Sequence, residues 1–292
     1  MTRAMRAGAV MLVVVSGCGD DGGGTGGQAG AAGKSGSSGQ GGAGPYGDAT
    51  CQPGKLAYRG TVDGQAVAFG AQASSSNLSM GGRWSLARHT PASQLFAFGQ
   101  SAVPEQGSFA ASEVLVQGGW PAAVGAWYCA RDVSFARSSG PDGEAYTFAV
   151  PSLSRLGACP GVPVGGSIAA CLDLAGTAAC AGASLSLSGT VEQAALTTTS
   201  GVGASTSKLT DGVVAEFTFD GQGVLRVQSD GATTSGFLLM PNADQTGHIL
   251  YCVGQGTAFK ATDKMLSLTL SDVSRLGECA DGTPAGSLDG CF

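Results

Sequence analysis

The chain has 292 residues, 43% of them apolar, only 12% charged and fifty of them glycine, whereas ordinary soluble proteins carry about 25% charged residues. Its formal net charge is −6, and no cluster of Lys or Arg occurs anywhere. That excludes the basic stripe on which a nucleic-acid interface depends.

Residues 1–17 read MTRAMRAGAVMLVVVSG. Arg3 and Arg6 give a positive start, and Ala7 to Val15 form an apolar run shorter than the roughly 20 residues of a membrane-spanning helix. This is the pattern of a secretory signal peptide. It runs into Val15-Ser16-Gly17-Cys18, which resembles the lipobox of bacterial lipoprotein signal peptides: an aliphatic residue, two small residues, then Cys. The resemblance covers residues 1–18 alone. It implies cleavage before Cys18, acylation of its thiol and new amine, and a membrane as partner through that lipid. Gly19 rather than an acidic residue follows Cys18, so the family's inner-membrane retention signal is not evident there. The resemblance therefore implies the cell envelope, at the outer membrane of a Gram-negative cell, although Asp20 and Asp21 leave the inner membrane open.

From Gly19 to Thr50, fourteen of 32 residues are glycine and almost none has a side chain able to pack. Such a stretch cannot offset its ordering entropy and is expected to be a disordered tether over residues 18–50, with a mean span of roughly 30 Å. Its GGGTGG touches a nucleotide-loop pattern, but no strand or helix flanks it, and no cofactor is expected.

Beyond the tether stand eight cysteines: Cys51, Cys129, Cys159, Cys171, Cys180, Cys252, Cys279 and Cys291. An even number in an exported chain reads as disulfides. Zinc is disfavoured because no CxxC occurs and His89 and His248 are the only histidines, so no metal site is expected. The eight fall into two parallel sets of four, Cys51 matching Cys180, Cys129 matching Cys252, Cys159 matching Cys279 and Cys171 matching Cys291. Flanking residues agree: Gly60-Thr61-Val62 with Gly189-Thr190-Val191, FAFGQ (96–100) with FTFDGQ (217–222), Tyr128 with Tyr251, SRLGAC (154–159) with SRLGEC (274–279), and Gly166-Ser167 with Gly286-Ser287. The chain thus holds two tandem modules, 51–171 and 180–292, joined by LDLAGTAA. Closure within each module leaves three pairings per module. The short segments favour Cys159–Cys171, Cys279–Cys291, Cys51–Cys129 and Cys180–Cys252, with first-to-last pairing inside each module close behind.

Period-two alternation dominates both modules. Leu56, Tyr58, Gly60 and Val62 alternate with Lys55, Ala57, Arg59 and Thr61, as Leu185, Leu187, Gly189 and Val191 alternate with polar residues. Tyr146, Phe148 and Val150 occupy the positions of Leu266, Leu268 and Leu270. EFTF, GVLRVQ, GFLLM and HILYC add strands to the second module, and no helical periodicity with caps appears. The expected fold is all-β: two homologous antiparallel β-sandwich or small-barrel modules, stapled by disulfides.

No catalytic constellation emerges, and the chain reads as a non-enzyme. His89 precedes a proline turn and is expected in solvent; His248 sits in no motif; no GxSxG elbow occurs. The scattered carboxylates keep a carboxylate-dependent hydrolase as an alternative. Arg155 and Arg275, in the repeated hexamer, are candidate ligand contacts for an anionic group, or structural donors to loop carbonyls. Trp120, with Trp84 and Trp127, suggests a sugar-stacking platform or core, hence a carbohydrate-binding module as a further alternative. The leading expectation is a lipid-anchored protein of binding, adhesion or envelope-structural role, with an unknown protein or glycan partner.

Overall fold

The computed structural model describes residues 51–292 except 53, 81–82, 120–124, 141–142, 165, 174–179, 181–184, 193, 198–202, 210–211, 220–222, 230–233, 255–257, 262–264 and 271–272. Residues 1–17, expected to be a signal peptide, Cys18, the glycine-rich stretch and Trp120 lie outside the described residues. Those described are nearly all strand, with one 3₁₀ turn at Cys279–Asp281, and none forms a helix long and apolar enough to cross a membrane.

The first half supplies β1 (Lys55–Val62), β2 (Gln65–Gln72), β3 (Ser74–Met80), β4 (Arg83–His89), β5 (Gln94–Gly99), β6 (Gly107–Gln117), β7 (Ala126–Gly140) and β8 (Gly143–Ala158). There follow β9 (Val162–Val164), β10 (Gly166–Asp173), β11 (Leu185–Val191), β12 (Ala194–Thr197), β13 (Gly203–Leu209) and β14 (Gly212–Phe219). The last strands are β15 (Gly223–Ser229), β16 (Thr234–Pro241), β17 (His248–Val253), β18 (Ala258–Ala261), β19 (Met265–Leu270), β20 (Val273–Glu278) and β21 (Thr283–Cys291).

All pairings are antiparallel. One nearly closed, barrel-like sheet has nine strands in the order β2-β1-β21-β8-β7-β6-β5-β4-β3. The other strands form a five-stranded sheet, β12-β11-β10-β19-β18, and a seven-stranded one, β13-β14-β15-β16-β17-β20-β9. The long β7 and β8 of the first barrel correspond to the interrupted pairs β17/β18 and β20/β19, and β21 corresponds to β9/β10. With that correspondence the second barrel repeats the first strand for strand.

The repeats and the barrels do not share boundaries. β21, at the end of the second sequence module, lies between β1 and β8 of the first barrel. Its counterpart β10, from the end of the first module, lies between β11 and β19 of the second. Each module therefore hands its last strand to the other. This explains the repeated GTV and GS motifs, which form equivalent seams. Gly60 pairs with Leu288 and Val62 with Gly286; Gly189 pairs with Ile168 and Val191 with Gly166. The strands approach closely there: a Cβ on Gly60 would sit 2.0 Å from the Ser287 carbonyl oxygen, a distance no side chain tolerates.

The disulfides follow the exchange and overturn every pairing confined to one module. They join Cys51 to Cys291, Cys129 to Cys279, Cys159 to Cys252 and Cys171 to Cys180. In repeat terms, first joins fourth and second joins third, always across the module boundary. Topology also corrects one motif match: FAFGQ lies on β5, whose counterpart is β15, whereas FTFDGQ begins on β14.

Three apolar cores result. Leu56, Tyr58, Phe69, Trp84, Phe135, Phe148, Leu288 and Phe292 belong to the first barrel's interior; Leu187, Phe217, Leu225, Leu238, Tyr251, Leu268 and Val273 belong to the second's. A third core lies between the barrels, joining Phe96, Phe98, Leu115 and Trp127 to Val224, Phe237, Leu239 and Leu250. β5 therefore buries Leu95 and Ala97 on one side and Phe96 and Phe98 on the other. Two-sided burial is why this strand, like β16 and β17, reads as an unbroken apolar run.

Candidate functional site

The repeated SRLG hexamer builds a matched bulge in each barrel. Trp127 pairs with Gly157 and Tyr128 with Arg155, leaving Leu156 without a partner residue. In the second barrel Leu250 pairs with Gly277 and Tyr251 with Arg275, leaving Leu276 over. Gly157 and Gly277 have φ of 126° and 138°, where a side chain would be strained. The extra residues, Leu156 and Leu276, pack against the inter-barrel core.

The bulge aims each arginine at a carboxylate on the first hairpin of its own barrel. Arg155 Nη1 donates to Asp63 Oδ2 at 2.9 Å, and Tyr128 Oη donates to the same oxygen at 2.8 Å. Arg275 Nη1 donates to Glu192 Oε2 at 3.1 Å, joined by Tyr251 Oη at 3.0 Å, while its Nη2 reaches Glu278 Oε1 at 3.1 Å. Asp63 and Glu192 both have left-handed backbone, with φ of 51° and 48°. With Gly64 at 76°, Asp63 fits the type I′ turn of a two-residue hairpin. Burial, then the carboxylate bond, pushes both phenols above their ordinary range, so each remains a donor.

Arg155 and Arg275 are thus neither free guanidinium groups nor donors to loop carbonyls; they form Arg–carboxylate–Tyr clasps. Arg155 is 42% exposed and Asp63 30%, and pairs this open contribute about 0.2–1 kcal/mol. Arg155→Ala is expected to lower unfolding stability in urea by no more than about 1 kcal/mol, with an unchanged far-UV spectrum.

The first barrel's interior is filled rather than hollow. Tyr58 stacks on Phe69 at 4.9 Å, Trp84 meets Phe109 edge-on at 5.4 Å, and Phe292 stacks on Tyr146 at 5.0 Å. Arg88 is held over the Phe292 ring at 4.3 Å and donates to Asn77 Oδ1 at 2.9 Å; burial lowers its pKa to about 10, still charged at neutral pH. Trp84 and Trp127 are buried in cores, not arrayed on a surface. A shallow groove of about 490 Å³ draws Arg83 from the first barrel and Phe219, Met240, Pro241 and Gln245 from the second.

Among the described residues, two ionic contacts cross between the barrels, and both involve residues that sequence reasoning left unassigned. His248 Nδ1 lies 2.6 Å from Glu113 Oε2, and both side chains are fully buried. His89 Nε2 lies 2.9 Å from Glu216 Oε2, which also accepts from Arg226 Nη1 at 3.1 Å. His89, expected in solvent, is 7% exposed, because its ring lies against Glu216 of the other barrel and Phe96 of β5. The signal was present in the sequence: Glu113, Glu216 and Arg226 interrupt the apolar runs EVLV, VVAEFTF and GVLRV. A charge there must find a buried partner.

Asp63, Glu113, Glu144, Glu192, Glu216 and Glu278 each pair with an arginine or histidine. Among the described residues no group of three or more His, Cys, Asp or Glu is placed to hold a metal ion. The chain matches no protein-family model, no curated protein and no solved structure.

Proposed function

We propose that the protein is an exported, lipid-anchored component of the bacterial cell envelope, serving as a rigid, non-enzymatic binding or structural body held off the membrane by residues 18–50. The observation that carries this reading is the set of four disulfides, which form and persist in oxidising compartments. The lipobox-like VSGC supports a lipid anchor at Cys18, and several acyl chains on one residue hold a protein stably at about 0.8 kcal/mol per buried methylene. The first barrel's interior is filled by packed aromatic rings, and the groove beside Arg83 offers a concavity for a ligand. The unknown partner is a protein or glycan of the envelope or of a neighbouring cell.

Intact-mass analysis of the detergent-extracted protein tests the anchor: the N-terminal peptide is expected to begin at Cys18 and to carry acyl mass. Cys18→Ala is expected to move the protein from the membrane pellet to the soluble fraction. An unacylated N-terminus, or a variant that still pellets, would end this reading.

A further inference from the structure

Both histidines of the chain lie buried between the barrels, each against a glutamate of the opposite barrel. They flank the shared aromatic core: the His89 ring is 5.2 Å from Phe96, and the His248 ring 3.9 Å from Phe98. Neither contact is inherited from the duplication. By strand register, Glu216 stands where the first barrel has Ala87, His89 where the second has Thr218, and Glu113 where the second has Ser235. Each partner was installed separately at the interface.

The two contacts differ in hydrogen bonding. Around His89 stand Glu216 on β14, Arg226 on β15 and the neutral Gln94 on β5. Glu216 and Arg226 already balance, so a proton on His89 leaves a net positive charge inside an apolar contact. His89 Nε2 faces the Glu216 carboxylate at 2.9 Å, but neither ring nitrogen makes a well-directed hydrogen bond, and that carboxylate already accepts from Arg226. Around His248 stand Glu113 on β6, hydrogen-bonded to Nδ1 at 2.6 Å, and, as Glu113's cross-strand partner on β7, Arg131.

We infer that the inter-barrel interface is an acid-responsive contact with His89 as its sensor: protonation loosens the β4–β14 end and uncovers the apolar faces of Phe96 and Phe237. The barrels cannot part, because Cys129–Cys279 and Cys159–Cys252 tie one to the other. Acid therefore opens a hinged seam that closes again on neutralisation. The sign is consistent. Burial holds the His89 pKa below its ordinary value, so below about pH 6.5 the unfolded or opened state binds more protons than the closed one. The stabilising contribution is complete above that pH and is lost as the pH falls through the closed-state pKa.

The test uses the mature full-length chain between pH 8 and 4.5. The chain's two histidines give one Hε1 resonance each, assigned with His248→Gln, while hydrogen exchange follows β4 and β14 amides after correction for intrinsic rates. Protection at β4 and β14 is expected to fall about tenfold as the His89 signal titrates, reversibly and without thiol release. His89→Gln is expected to show no such step. If His89 titrates with no change at β4 and β14, or if His89→Gln shows the same step, the inference is wrong. The wild-type correlation decides the matter even where the variant folds poorly.

Discussion

Gly286→Ala is expected to destabilise the first barrel by about 3–5 kcal/mol and to unseat its closing strand. Gly286 has φ +141°, and a Cβ built there would stand 1.8 Å from the Thr61 carbonyl oxygen. That oxygen belongs to β1, which is held by β2 on its far side along its whole length, so it has no room to retreat. Two penalties add: a backbone region that only glycine enters readily, and a collision with fixed main chain. The neighbouring hairpin supplies the control. Gly64 also has positive φ, +76°, but a Cβ added to it would meet nothing within 4 Å. Gly64→Ala is therefore expected to cost only about 1–2 kcal/mol. Urea unfolding of both variants, followed by proteinase K susceptibility of residues 279–292, checks the contrast. Equal losses at the two sites would show that backbone conformation alone, and not the β1–β21 seam, sets the cost.

That seam also shows where sequence reasoning succeeds and where it stops. Strand existence and facing were readable: Leu56, Tyr58 and Val62 turn into the first core as their alternation requires, and Leu266, Leu268 and Leu270 turn into the second. The duplication was readable from cysteine spacing and paired motifs. Strand partnership was not. A strand with the right inward face completes either barrel equally well, because the two seams use the same glycines and the same register. No local pattern distinguishes β21 closing its own module from β21 closing the other. Once that choice is missed, all four disulfides follow it, since the cysteines ride on the exchanged segments.

The partners of the candidate arginines were hidden in the sequence for a related reason. Arg155 and Arg275 stood out because their hexamer repeats, but their partners Asp63 and Glu192 sit 92 and 83 residues away on hairpin turns. A repeated arginine whose carboxylate and tyrosine partners repeat with it is a structural clasp of the module. The residues without repeat counterparts, His89, Glu113, Glu216 and His248, lie where the two copies meet. Divergence between duplicated modules concentrates there because the facing surfaces, unlike the barrel interiors, need not be the same.

Removing the Cys51–Cys291 bridge as Cys51→Ala/Cys291→Ala is expected to lower stability more than removing Cys171–Cys180. The two bridges span 240 and 9 residues, but the larger figure overstates the loop that is lost. With Cys129–Cys279 intact, the closed path runs from 51 to 129, across that bridge, and from 279 to 291, about 90 residues. Chain-entropy reasoning gives about 4–5 kcal/mol for a loop of that size and about 3 kcal/mol for the short one. The native contacts point the same way. Cys291 anchors the end of β21, whose Leu288 fills the first core together with the adjoining Phe292, whereas Cys171–Cys180 clips a connection between strands that already pair as neighbours. Parallel urea titrations of the two double variants measure the difference, with non-reducing peptide maps confirming that the remaining bridges are native. A greater loss from the short clip would mean that β21 is held chiefly by its own strand pairing and core contacts.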